Sequence, residues 1–321
     1  MRRINVRAMS IMASAISAVA ALMPGTARGQ IFVAGVDSGT VGEYTLSGTP
    51  INADLISGLN NPNAIALAGS DLFVLNGGGL GEYTTSGATV NASLIPGTNL
   101  GNDALAVSGS DIFAVTTNEF GIPEYVAEYT TSGATVNSEL LNVPGAKAIA
   151  VVGSDIFVAS SSSGTIGEFT TSGATVNADL ISGLNGPVSI TVSNSDLFVG
   201  EQDSGTVGEY TTSGATVNAD LISGLDSINQ AGFLAFSGSD LLVTNDGQVG
   251  EYTTSGSVVN ASLISLPPVA PGEFDYVTGL AVEGTAVPEP ATVGLLGIAA
   301  TTALLRRHRS AKRHYRGSVN T

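Results

Sequence analysis

The chain repeats one short phrase, Gly-Glu-Tyr-Thr-Thr-Ser-Gly with small changes, six times. The glutamate of the phrase recurs at intervals of 39 to 46 residues, at Glu43, Glu82, Glu128, Glu168, Glu209 and Glu251. A repeat of about 40 residues that holds four short strand patterns is typical of one blade of a β-propeller. The spacing therefore predicts a fold built from six similar units.

Each repeat contains four strand patterns. In the copy from 188 to 225, runs rich in Val, Ile, Thr, Phe and Tyr begin at Ser189, Asp196, Val207 and Ala215, and turns of Gly, Ser, Asn or Asp separate them. Such runs predict strands, and no run carries the 3.6-residue apolar stripe of a helix. The aromatic residue of the third strand is predicted to pack between blades. A recurring Gly-Ser-Asp turn is predicted to join the first two strands, since these residues favour tight hairpins.

The phase of the repeat at its two ends predicts how the ring closes. The repeat region begins at Ile31-Phe32-Val33, which corresponds to a second strand, and ends at Gly279-Leu280-Ala281-Val282, which corresponds to a first strand. Three N-terminal strands and one C-terminal strand then complete one blade beside five contiguous blades, which leaves no unpaired chain end. We therefore predict an all-β, six-bladed propeller of four-stranded blades over residues 30–284.

The motifs of one copy resemble those of NHL-type and lactonase-like six-bladed propellers. They read Asn185-Gly186-Pro187 before the first strand, Asp196-Leu197-Phe198-Val199 in the second, and Gly205-Thr206-Val207-Gly208-Glu209-Tyr210 into the third. The resemblance covers roughly residues 31–284. It implies an architecture and no single function, because those families include binders, scaffolds and enzymes.

Charged residues are distributed very unevenly. Of the 11 Lys and Arg, four precede residue 30 and six follow residue 305, which leaves Lys147 as the one cation among 27 acids in the region 31–290. Such a body repels nucleic acid, because it lacks the cations that release counterions from phosphate. We therefore predict no nucleic-acid partner.

The propeller region also lacks the residues of several common reaction centres. Both histidines, His308 and His314, lie in the C-terminal tail, and the chain has no Cys. Catalysis by a Ser-His-Asp or Cys-His system and a histidine-ligated metal are thereby excluded from the propeller. The chemistry that remains is that of carboxylates, either as calcium ligands or as an acid–base pair.

Residues 1–29 have the pattern of a secretory signal peptide. Three arginines lie among the first seven residues, an apolar stretch follows from about 9 to 23, and small residues at 27 and 29 precede Gln30. This order predicts cleavage between Gly29 and Gln30. The alternative is a retained transmembrane helix, for which the apolar stretch is short.

The region 285–321 has three parts. Val287-Pro288-Glu289-Pro290 is followed by an uncharged, largely apolar segment, 291–305, and by a basic tail, 306–321. The segment is predicted to cross the membrane, with flanking residues extending its ~22 Å of helix and the tail in the cytoplasm. The three parts resemble the PEP-CTERM sorting signal, which implies processing by an exosortase, a membrane protease-transferase, and export toward an exopolysaccharide matrix. The alternative is an ordinary C-terminal membrane anchor.

One face of the predicted propeller joins the loops before the first strands to the loops between the second and third strands. The positions before the first strands differ from blade to blade, as a ligand face requires; they are Asn63, Asp103, Lys147, Val188, Gly232 and Thr278. We predict a ligand face around Asn63, Asp103 and Lys147. The structural alternative is an ion pair between Asp103 and Lys147 near the axis.

The loops between the second and third strands carry acids on the same face. Asp37, Glu201, Asp203 and Asp246 offer the oxygen ligands that calcium prefers, without the ligand spacing of an EF-hand loop. Calcium is the one cofactor that the sequence predicts. The alternative is a solvated acidic rim.

These patterns predict an exported, non-catalytic propeller at the cell surface or in the extracellular matrix of a Gram-negative-type bacterium. Its expected partners are an exosortase and a polysaccharide or surface protein, with membrane contact only through the C-terminal segment. The alternative is a secreted metal-dependent hydrolase or lactonase that uses propeller carboxylates. Val188 and Gly232 interrupt the axial ring and Lys147 adds a positive charge, which favours binding over catalysis.

Overall fold

The computed structural model describes residues 29–97, 100–117, 123–225, 233–245, 247–270 and 275–284, without the side chains of 100–103, 123 and 124. The chain divides into two units after Gly284. The predicted signal peptide up to residue 28, the Val287–Pro290 motif, the apolar segment and the basic tail lie outside the described residues. Within the described ranges the chain forms 24 strands in six four-stranded antiparallel sheets.

Each sheet is one blade. Blade 1 contains β1 (Gln30–Gly35), β2 (Thr40–Thr45), β3 (Pro50–Ile56) and β24 (Val277–Glu283); blade 2 contains β4 (Ala64–Ala68), β5 (Asp71–Asn76), β6 (Gly79–Thr84) and β7 (Thr89–Pro96); blade 3 contains β8 (Leu100–Ser108), β9 (Asp111–Thr117), β10 (Pro123–Thr130) and β11 (Thr135–Asn142). Blade 4 contains β12 (Ala146–Val152), β13 (Asp155–Ser160), β14 (Thr165–Thr170) and β15 (Thr175–Ser182); blade 5 contains β16 (Pro187–Ser193), β17 (Asp196–Glu201), β18 (Thr206–Thr211) and β19 (Thr216–Ile222); blade 6 contains β20 (Leu234–Ser237), β21 (Asp240–Asn245), β22 (Gln248–Thr253) and β23 (Val258–Ser265).

The ring closes as the repeat phase predicts. β24 pairs antiparallel with β1, from Gln30 opposite Glu283 to Gly35 opposite Val277. The first strand of each blade contacts the first strands of both neighbouring blades, and β20 contacts β24 to complete the circle. The prediction of six blades closed by three N-terminal strands and one C-terminal strand is confirmed.

The core lies between the blades. Each of six clusters of buried apolar residues joins two neighbouring blades; Phe32 of blade 1, for example, shares a cluster with Tyr83 of blade 2. Second strands are apolar on both faces because a blade packs on each side of them. The third-strand aromatic residue is buried in every blade, as Tyr44, Tyr83, Tyr129, Phe169, Tyr210 and Tyr252. Its predicted position between blades is confirmed.

The glycine that ends the repeated phrase has a steric role between blades. Gly214 has a φ of 86°, and a Cβ atom there would lie 2.5 Å from the carbonyl oxygen of Leu180 in the preceding blade. The same approach recurs in all six blades, at Gly48, Gly87, Gly133, Gly173, Gly214 and Gly256. Any larger residue meets both a backbone clash and an unfavourable conformation. The first glycine of the phrase is less restricted, since blade 3 has Ala127 in its place.

The outer strand of every blade carries a bulge. In blade 5, Val207 pairs with Ile222 but Glu209 pairs with Asn218, so β19 has two extra residues over that stretch. The Asn218 Oδ1 atom accepts a hydrogen bond from the Asp220 N–H at 3.2 Å, which holds the bulge. The equivalent asparagine does the same in the other five blades. A bulged edge pairs poorly with another strand, so six exposed edges are protected from association.

Candidate functional site

The loop face is held together by backbone hydrogen bonds between loops. In blades 1, 4 and 5, a glycine in the loop between the second and third strands has a φ near +64°. Its carbonyl oxygen accepts a hydrogen bond from a leucine N–H in the segment that leads to the next blade, at 3.0 to 3.2 Å; the pairs are Gly39 with Leu59, Gly164 with Leu184 and Gly205 with Leu225. Each loop is thus hydrogen-bonded to the segment that leads into the first strand of the next blade. The predicted ligand residues lie at the start of these first strands.

The sixth residue of the second strand varies between blades, and only blades 2 and 6 share the same residue there. The six residues are Gly35, Asn76, Thr116, Ser160, Glu201 and Asn245. In blade 4, the Ser160 hydroxyl donates to the Pro144 carbonyl oxygen at 2.7 Å, in the segment before β12. In blade 5 the Glu201 carboxylate supports the equivalent segment by accepting from the Asn185 N–H, so blades 4 and 5 hold the loop before the first strand with different chemistry.

Glu201, one of the predicted calcium ligands, points into the protein. It is 4% exposed; its Oε2 atom accepts from the Asn185 N–H at 2.7 Å, and its Oε1 atom accepts from the Tyr210 hydroxyl at 3.4 Å. Burial, followed by the charge of Glu201, raises the pKa of Tyr210 to about 12. Asp203 is exposed beside it, with its N–H directed to the Asn185 carbonyl oxygen. The two acids therefore lie close in sequence but in different environments.

Asp275 is a buried carboxylate that sequence reasoning missed. It is 2% exposed, and its Oδ1 atom accepts from the N–H groups of Asp37 and Ser38 at 2.9 and 3.2 Å. Its Oδ2 atom lies 2.2 Å from where a Cβ atom on Gly35 would be, so Asp275 fills the space that a side chain at the end of β1 would take. The Asp37 side chain, a predicted calcium ligand, is exposed beside this contact.

The predicted ligand residues lie where the first strands begin. Asn63 and Lys147 are half-buried, and the Asn63 N–H donates to the Leu75 carbonyl oxygen at 2.9 Å. Thr278 is buried, and its hydroxyl donates to the Pro62 carbonyl oxygen, which joins the closing strand to the residue before Asn63. The Asp103 side chain, Gly232 and Asp246 lie outside the described residues. An amide and an ammonium group therefore lie at the start of the first strands of blades 2 and 4.

Among the described residues, no three Asp, Glu, His or Cys side chains come together in a group that holds a metal ion. No helix in the described part of the chain is long and apolar enough to cross a bilayer.

A groove of 560 Å³ lies between blades 2 and 3 at the opposite end of the blades. Asp71 and Glu82 of blade 2 line one side, and Thr131 and Ser132 of blade 3 line the other. Burial raises the pKa of Glu82, and the charge of Asp71 raises it further. The same two causes, in the same order, raise the pKa of Glu128, Glu168, Glu209 and Glu251 beside Asp111, Asp155, Asp196 and Asp240. Unlike the loop face, this end therefore repeats one chemistry.

These repeated glutamates predict that mild acid stabilises the propeller. A carboxyl group whose pKa is higher in the folded than in the unfolded state binds its proton more tightly when folded, so the free energy of unfolding rises as pH falls. The gain begins as pH falls through the raised folded pKa values and is complete below the unfolded value of about 4.3. We expect a higher melting temperature at pH 5.5 than at pH 7.5. Replacing the five neighbouring aspartates with Asn should reduce this difference in melting temperature. A melting temperature that is lower at pH 5.5 than at pH 7.5 would contradict the prediction.

Comparison with known proteins identifies the C-terminal region. Residues 286–310 match the PEP-CTERM protein-sorting motif, so the sorting signal predicted from Val287–Pro290, the apolar segment and the arginine cluster is confirmed. The motif implies an exported bacterial protein that is sorted to the cell surface and processed by an exosortase. No curated protein matches the chain in sequence.

Solved structures of other proteins share this fold, and three of them serve as examples. A Bacteroides caccae protein of unknown function is 14% identical, with a TM-score of 0.58 over 79% of this chain and 98% of its own. A functionally unknown protein from Desulfotomaculum acetoxidans is 17% identical, with a TM-score of 0.51 over 72% and 78%. A chain of a nidogen–laminin complex is 12% identical, with a TM-score of 0.61 over 79% and 98%. At these identities the likeness shows the fold alone, and the NHL-type assignment stays a resemblance.

Proposed function

We propose that the propeller is a non-catalytic binding module that is displayed at the cell surface or in the extracellular matrix and holds a matrix polysaccharide on its loop face. The observation that carries this proposal is the contrast between the two ends of the blades. The end with the Gly-Ser-Asp turns repeats its side chains in almost every blade, whereas the loop face varies them. Repeated positions serve the fold, and varied positions on an ordered scaffold are where binding residues are expected.

The acids of the loop face support binding over catalysis. Glu201 and Asp275 both direct their carboxylate oxygens to backbone N–H groups of neighbouring loops. A carboxylate engaged in this way holds loop geometry. Asn63 and Lys147 then provide the hydrogen-bond donors for a sugar polymer, while protein partners would use the same face.

Processing at both ends completes the proposal. Residues 1–29 act as a signal peptide that is removed before Gln30, which is the first residue of β1. Segment 291–305 crosses the membrane before processing, with the basic tail in the cytoplasm. An exosortase then acts at the PEP-CTERM signal, which releases or transfers the propeller to the matrix. Calcium is proposed only as a loosely held ion near the exposed Asp37 and Asp203.

Co-sedimentation of the exported protein with exopolysaccharide extracted from the producing bacterium tests this function. We expect the wild-type protein to sediment, and Asn63→Ala and Lys147→Ala each to weaken binding about tenfold, the effect of losing about 1.4 kcal/mol of hydrogen bonding. Ser213→Ala at the opposite end is the matched control and should bind as the wild type does. Melting curves will show that each variant is folded.

Two results would contradict the proposal. Sedimentation that is lost in Ser213→Ala but kept in the loop-face variants would place binding at the end of the propeller opposite the loop face. A wild-type protein that stays in solution would reject polysaccharide as the ligand.

A further inference from the structure

Blade 1 departs from the other five where its second strand begins. Five blades begin this strand with aspartate, at Asp71, Asp111, Asp155, Asp196 and Asp240, and blade 1 begins it with Gln30. In the five blades the aspartate charge raises the pKa of the third-strand glutamate. In blade 1 the Gln30 Nε2 atom instead donates a hydrogen bond to the Glu43 Oε1 atom. The blade that begins at the predicted cleavage position thus has a hydrogen-bond donor where the other five blades have a repulsive carboxylate.

Gln30 lies at the junction where the ring closes. It pairs with Thr45 of β2 on one side and with Glu283 of β24 on the other. Directly opposed residues of an antiparallel pair share one face of the sheet, with Cβ atoms about 4.5–5.5 Å apart, which places Glu283 next to Gln30. Glu43 lies opposite Phe32, diagonal to Gln30, and the side-chain hydrogen bond brings its carboxylate to Gln30. Gly29 is buried here: a Cβ atom on it would lie 2.8 Å from the Leu46 Cδ1 atom and 3.0 Å from the Glu283 carbonyl oxygen.

We propose that cleavage before Gln30 creates an ion pair that strengthens the closing sheet of the ring. Water adds across the Gly29–Gln30 peptide bond, which leaves a carboxyl group on Gly29 and an amine on Gln30 that takes up a proton at neutral pH. The new α-ammonium group lies at the first residue of β1, beside the carboxylates of Glu283 and Glu43. The inference rests on the proposed signal-peptide cleavage and is independent of what the loop face binds.

The charges around Gln30 favour this pairing. Glu43 of β2 is hydrogen-bonded to the Gln30 side chain, Glu283 of β24 pairs with Gln30, and Leu46 of the adjoining turn lies against Gly29. Glu43 is 7% exposed; burial raises its pKa, the Gln30 hydrogen bond lowers it and the Glu283 charge raises it. An ammonium group here compensates two carboxylates that the uncleaved chain leaves close together.

The same contacts preserve the amine chemically. An N-terminal glutamine cyclises when its α-nitrogen attacks the side-chain Cδ atom and ammonia leaves. In the folded protein the Gln30 side-chain amide is hydrogen-bonded to Glu43, and its backbone is paired on both sides. Cyclisation would require both sets of contacts to break. The mature protein should therefore begin with an open glutamine.

The test is the titration of the α-amine in the exported protein. N-terminal sequencing and intact mass first establish the terminus, and acetic anhydride labelling as a function of pH then gives its pKa in the folded and urea-unfolded protein. A carboxylate within about 4–6 Å raises the pKa of an amine by about 1 or more, which lowers the fraction of unprotonated amine at pH 7. Because only the unprotonated amine reacts, labelling at pH 7 should be about tenfold slower in the folded protein. Glu283→Gln should remove most of the difference, and Glu251→Gln in blade 6 should leave it unchanged.

Three outcomes would overturn the inference. They are a mature chain that begins at another residue, a terminus blocked by cyclisation, and a folded amine that titrates at the usual value of about 7.7–8.0 with or without Glu283. None of these outcomes bears on the polysaccharide experiment, so the two proposals fail separately.

Discussion

A chain that ends at Pro271 will lose the cooperative fold that a chain ending at Gly284 retains. The shorter chain lacks β24, whose Val277, Leu280 and Ala281 are buried in the ring. Burying a Val or Leu side chain contributes about 1.5–3 kcal/mol, so these residues and their backbone pairing account for roughly 5 kcal/mol or more. Since a whole domain is stable by about 5–15 kcal/mol, this loss removes from about a third to all of the stability.

The shorter chain also exposes new surface. β1 is buried along nearly its whole length, and without β24 its inner edge has no partner. Asp275 is lost as well, which leaves the N–H groups of Asp37 and Ser38 without their carboxylate. We therefore expect aggregation, and no single unfolding transition in circular dichroism. The full chain and the chain ending at Gly284 are the controls. Closure through β24 is wrong if the chain ending at Pro271 melts at the same temperature as these controls.

Replacing Pro288, Glu289 and Pro290 with Ala will stop C-terminal processing and leave the protein in the membrane fraction. The three residues lie within the matched sorting motif, whereas the variant keeps segment 291–305 and the basic tail unchanged. An enzyme that recognises the motif loses its substrate, while the apolar segment still partitions into the bilayer. The expected change is from nearly complete to almost no processing, measured by cell fractionation with mass analysis of the C-terminus.

A matched triple variant controls for changes near the C-terminus in general. Tyr315, Ser318 and Asn320 lie beyond the matched residues, and their replacement by Ala should leave processing intact. Equal processing of both triple variants would remove the assigned role of the Pro-Glu-Pro residues.

Local patterns in the sequence predicted the blades, because blade structure depends on local chemistry repeated many times. The Asp196-Leu197-Phe198-Val199 run forms a second strand with both faces buried, and the Gly-Glu-Tyr phrase forms a third strand with its ring between blades. The closing strand was predictable for the same reason, since the phase of a repeat is read directly from the sequence. The sequence alone did not explain the last glycine of the phrase. The structure shows that this glycine lies close to a leucine carbonyl oxygen of the preceding blade.

The loop face was less predictable because its contacts join distant parts of the chain. Asp275 and Asp37 are 238 residues apart, and only ring closure brings them together. Glu201 and Asp203 look equivalent in sequence, but the register of β17 directs Glu201 to Tyr210 and leaves Asp203 exposed. The outer-strand asparagines gave no signal either, because a bulge held by a side chain and the N–H two residues later looks like an ordinary strand in the sequence.

The intact mass of the protein recovered from the cell surface and matrix tests the central claim most directly. An exported propeller that is processed by an exosortase should begin at Gln30 and should lack the basic tail, residues 306–321. The mass should therefore correspond to a chain that ends at or near the Val287–Pro290 motif, plus any group that the enzyme attaches there. A wild-type protein found outside the cell with the basic tail still attached would contradict the account.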